Sequence, residues 1–77
     1  MPRYYFHVMD GRVVIDEDGT ELAGPEDVRR EAIRAAGEIL ANGEAASLAG
    51  GHVWNMTVAD EDAKTVLTLR FKMEVYS

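Results

Sequence analysis

The sequence contains no cysteine, which rules out a disulfide framework, a thiolate metal centre and a cysteine nucleophile. Core packing, alone or with a partner chain, must hold the fold together. Also missing is any apolar run that could serve as a signal peptide or approach the ~20 residues of a membrane span, so a cytoplasmic protein without membrane association is expected. Positive charge is scarce: eight Lys and Arg stand against fourteen Asp and Glu, a formal net charge of -6. That balance repels phosphate backbones and speaks against nucleic acid as a partner. The chain is also short. At 77 residues it has room for one small domain, residues 1–77, near the size below which a single core needs staples.

What is present begins with an aromatic and β-branched stretch, Arg3 to Met9, suited to a pleated surface. Asp10-Gly11 follows as a type I′ turn signal. A two-residue turn there would pair Met9 with Arg12, Val8 with Val13, His7 with Val14, Phe6 with Ile15 and Tyr5 with Asp16. One face of this hairpin then carries Phe6, Val8, Val13 and Ile15, and the other carries Tyr5, His7, Met9, Arg12, Val14 and Asp16. An acidic loop, Glu17 to Glu21, leads to Gly24-Pro25, where Pro25 with Glu26 and Asp27 signals a helix start. The helix should run to about Ala41, with Val28, Ala32, Ala35, Ala36, Ile39 and Leu40 on one side and Ile33 at its edge. Its alanines let it lie close to a sheet. Glu26 with Arg30 and Arg34 with Glu38 are spaced as i,i+4 ion pairs.

Asn42-Gly43 is the expected helix stop, followed by a short helical turn from Glu44 that ends at Gly50-Gly51 and lets Leu48 plug one end of the core. From His52 to Ala59, Trp54, Met56 and Val58 alternate with Val53, Asn55 and Thr57, a third strand. From Thr65 onward Leu67, Leu69, Phe71, Met73 and Val75 alternate with Val66, Thr68, Arg70, Lys72, Glu74 and Tyr76, a long fourth strand. The order ββαββ predicts an α+β fold, a four-stranded antiparallel sheet with one helix packed on one face. Strand orders 2-1-3-4 and 1-2-4-3 both satisfy the pairing.

One helix leaves the opposite sheet face open. The residues expected on it include Tyr5, His7, Met9, Val14, Val53, Thr57, Val66 and Tyr76, too apolar a set for plain solvent surface. Chemistry-bearing patterns are otherwise thin. His7 and His52 have no second ligand at a metal-binding spacing, and a histidine on a sheet face is the simpler reading of each. Asp16 to Glu21 has the look of a calcium loop, yet aligning Gly19 with the loop glycine puts Val14 at the first ligand position, where an oxygen is needed. Ser47 has no paired base, and Trp54 is in phase with core residues. No catalytic residue, cofactor motif or metal ligand set emerges, so a noncatalytic protein is expected.

The opening MPRYYFHVMDG, the DEDGTEL loop, the helix DVRREAIRAAGEIL, the Trp54 strand ending Val58-Ala59-Asp60 and the run Thr68-Leu69-Arg70-Phe71 together resemble a family of short bacterial proteins catalogued only as a domain of unknown function. The resemblance covers nearly the whole chain and implies a bacterial cytoplasmic setting, with no activity to carry over. A departure is Asp62-Ala63, where a glycine is expected, which implies a longer or looser second turn. The expected function is an interaction module that self-associates as a homodimer, or binds another protein, through the open face (Tyr5, His7, Met9, Val14, Val53, Tyr76) or an edge strand. The alternative is a regulator that binds a small ligand or cation through the acidic loops and the Tyr5/His7 face.

Overall fold

The computed structural model describes residues 1–9, 13–41, 53–72 and 76. Its elements are β1 (Arg3–Met9), β2 (Val13–Val14), β3 (Thr20–Glu21), α1 (Pro25–Ala41), β4 (Val53–Ala59) and β5 (Thr65–Lys72). All strand pairs are antiparallel, in the order β2-β1-β4-β5, with β3 also pairing β1. The strands-helix-strands outline is the expected α+β fold, and of the two admissible orders the structure takes the one with β1 inside the sheet.

The helix begins at Pro25, where a ring that fixes φ replaces an N–H with no intrahelical partner, and Glu26 and Asp27 face the positive end of its dipole. Val28, Ala32 and Ala36 are buried against Trp54, Met56 and Val58 of β4. Tyr4, Phe6 and Val8 from β1 and Leu67, Leu69 and Phe71 from β5 flank them on the same side. Trp54 meets Phe71 edge-on, with ring centroids 5.2 Å apart. Removing each large side chain from water contributes about 1.5–3 kcal/mol, so this one layer carries most of the apolar stabilisation. Its stripe is narrower than the spacing predicts, because Ile33 is 55% and Leu40 37% exposed. The ion pairs also differ in part. Arg34 does reach Glu38, but Glu26 pairs with Arg29 and Arg30 with Asp27, each three residues apart.

The first hairpin departs from the expected register. Val8 faces Val14 and Met9 faces Val13, so Val14 lies on the helix side of the sheet and Val13 on the open side, the reverse of the expected faces. Ile15, expected in the core, is 56% exposed. The physical reason is that Val13-Val14-Ile15 is uniformly apolar and has no alternation to set its phase. The acidic loop also contains a strand, since Arg3 faces Glu21 and Tyr4 faces Thr20. From Val14 to Thr20 is six steps along the chain, while from Tyr4 to Val8 is four. The outer strand therefore bulges between β2 and β3.

A second bulge falls in β5, where Val58 faces Leu67 but Ala59 faces Thr65. Val66 is the extra residue. It lines a groove with Tyr4, Val28 and Leu67 beside the helix start, so its expected place on the open face is corrected. Tyr76 lies beyond β5, 85% exposed, and is not on the described sheet. The Asp10-Gly11 turn, Arg12, the Asn42-Gly43 stop, the short helical turn with Leu48, His52 and residues 73–75 lie outside the described residues. Among the described residues no helix is long and apolar enough to cross a membrane.

Candidate functional site

The sheet face that no described element covers is built by strand alternation. Cross-strand rows place Tyr5 beside Ala59, His7 beside Thr57 and Met9 beside Asn55. The rows continue into β5 as Thr65, Thr68 and Arg70, and Val53 faces Lys72. Opposite Met9, Val13 adds an apolar side chain. Of the residues expected to form an interaction surface, the structure thus brings together Tyr5, His7, Met9 and Val53. Val14 sits across the sheet and Tyr76 off it. Val13 is the residue that the two-residue turn concealed.

The Tyr5 and His7 rings lie nearly parallel, with planes 8° apart and centroids separated by 6.5 Å. Next to them, Ala59 at the end of β4 is only 7% exposed, and residues of the β4–β5 turn face the same space. The result is a shallow recess of about 320 Å³ walled by Tyr5, His7, Thr57, Glu61 and Thr65. Glu61 is anchored there, because its Oε1 accepts from the backbone N–H of Arg3.

The turn that forms this wall is tight. The N–H of Ala63 donates to the carbonyl of Asp60, and the N–H of Asp60 to the carbonyl of Lys64. Oδ1 of Asp60 accepts from the N–H groups of Asp62 and Lys64. Ala63 has φ +63°, a left-handed conformation that an alanine adopts at a cost of roughly 1–2 kcal/mol. The longer or looser turn expected from the missing glycine is therefore corrected: the turn is tight, and an alanine is held in the glycine conformation.

At the other rim lies the acidic loop, organised by Asp16. Its Oδ2 accepts from the N–H of Phe6, filling the gap in β1's ladder between β2 and β3. Its Oδ1 accepts from the N–H groups of Asp18 and Gly19. The backbone N–H of Asp16 in turn donates to Nδ1 of His7, which fixes that nitrogen as the acceptor of the imidazole. Partial burial disfavours the charged carboxylate, but the N–H donors of Gly19, Phe6 and Asp18, with His7 nearby, outweigh it and hold the Asp16 carboxyl below its ordinary range. Gly19 has φ +72°, and a Cβ there would lie 2.8 Å from Cγ of Arg3 and 2.9 Å from Cε2 of Tyr5. The loop can press against Tyr5 only with glycine at that position. Arg3 closes the corner, donating to the carbonyl of Asp18 and pairing with Glu21 at 2.8 Å.

The carboxylate best placed for a cation is thus already engaged by the backbone. Among the described residues no group of three or more His, Asp or Glu side chains is arranged to hold a metal. Two polar atoms are enclosed without a partner among the described residues, Nε1 of Trp54 under the helix and Oδ1 of Asn55 in the row between Met9 and Arg70.

The family described as "Domain of unknown function (DUF6894)" matches residues 3–72, and the chain belongs to it. No curated protein and no solved structure matches the chain. The matched span contains the Asp16 loop, the helix and both halves of the sheet.

Proposed function

We propose that this family member is a noncatalytic interaction module that self-associates through the open face of its sheet. The observation that carries the reading is the one-sided cover. α1 buries one face, while Tyr5, His7, Met9, Val13 and Val53 stand on the other among threonines. An uncovered sheet face with this much apolar surface is stabilised by a second protein layer. A second reading, a small ligand seated in the recess beside Tyr5 and His7, is favoured by the parallel rings and the anchored Glu61. A thermal-shift screen separates the two, because a ligand at about 100 times its Kd adds roughly 2.7 kcal/mol of stability.

The two sides of β1 make the mutational test. Phe6 packs on the helix side, so Phe6→Ala should cost about 3 kcal/mol in chemical denaturation. Tyr5→Ala should change stability less but weaken association in sedimentation velocity. If Tyr5→Ala left association untouched, the open face would not be the interface.

A further inference from the structure

Resting on the self-association proposed above, we infer that the partner is a second copy stacked face to face, its strands antiparallel to those of the first across the interface. Among the described residues the open face carries opposite charge at the two ends of its strands. At one end Arg70 sits in the row of Asn55, and Lys72 in the row of Val53, both exposed. Among the described residues no carboxylate lies within ion-pair distance of Arg70. At the other end the β4–β5 turn holds Asp60, Glu61 and Asp62 against Lys64, three carboxylates to one lysine, with Glu61 accepting from the backbone N–H of Arg3 while the Arg3 guanidinium pairs with Glu21.

Two such faces packed with their strands aligned, and related by a two-fold axis, meet in one of two ways. With strands parallel, acidic end lies on acidic end and basic end on basic end, which is repulsive. With strands antiparallel, each basic end lies on the partner's acidic turn.

The spacing fits the second arrangement. An axis through the Thr57–Thr68 row leaves Arg70 two residues to one side, about 7 Å, and Asp60 and Glu61 three to four residues to the other, about 10–13 Å. The remaining gap is within the reach of an arginine side chain. On β1 the same axis lays Tyr5 of one copy over Met9 of the other, an aromatic–thioether contact. Edge pairing through β5 would leave Tyr5, His7 and Met9 uncovered, because β1 is separated from that edge by β4.

The test is sedimentation velocity on the full chain, comparing the wild type with Arg70→Glu, Glu61→Arg and the double variant, with circular dichroism to confirm folding. Each single variant should raise the dimer Kd at least about tenfold. The double variant restores opposite charges in both copies and should return Kd to within about threefold of wild type. A wild-type dimer that Arg70→Glu leaves unchanged, or a double variant that stays dissociated, would overturn this arrangement while leaving self-association in place. A wild type that is monomeric throughout would overturn both.

Discussion

Asp16 accepts from three backbone N–H groups, those of Phe6, Asp18 and Gly19, so removing its carboxylate strands donors that no strand can reach. Asp16→Ala should cost about 1–3 kcal/mol in denaturant unfolding. The same bonds give a pH signature. The folded-state carboxyl is held below its ordinary value of 3.8, so its stabilisation is complete above that value and is lost as pH falls through the lower folded one. As the pH falls below about 4 the wild type should therefore lose more stability than Asp16→Asn, measured by parallel urea titrations. This role was hidden in the sequence, because a run of acids around a glycine reads equally well as a cation loop or a solvated turn. The decisive fact is a contact across nine residues, the Asp16 N–H to His7 Nδ1 bond, and spacing along the chain does not reveal it. His7 shares in this role as the acceptor.

Among the elements, α1 and the strands β4 and β5 were legible because their signals are local and one-sided. Pro25 with two acids marks the helix start, and Trp54, Met56 and Val58 alternate with less apolar neighbours. The first hairpin was not, because Val13, Val14 and Ile15 provide no contrast between faces, and its register depends on the distant Asp16 splint. The β4–β5 turn gave a third outcome. Its tightness is set by Asp60 Oδ1, which gathers the N–H groups of Asp62 and Lys64 and holds Ala63 at φ +63°. Ala63→Gly should relieve that strain and raise unfolding free energy by about 0.5–1 kcal/mol, part of the relief being offset by glycine's extra freedom in the unfolded chain. Thermal unfolding would show it as a higher Tm; a lower one would mean that the left-handed turn is not strained.

At the scale of the molecule, a short chain with no cysteine folds around a single layer, α1 over β4, and among the described residues no element covers the other side of its sheet. That much follows from the ββαββ order, as does the location of the candidate site on the face away from the helix. The membership of that face does not, because it depends on the pairing of Met9 with Val13 and on a bulge at Val66, which together replace Val14 and Val66 with Val13. The corrected face keeps its apolar patch and adds an acidic end and a basic end. Sedimentation equilibrium of the unaltered chain from about 1 to 100 μM, an ordinary range for weak to moderate association, decides whether the protein self-associates. The apparent mass should rise with concentration from 8.5 kDa toward twice that value. A single species at the monomer mass across the whole range would contradict it.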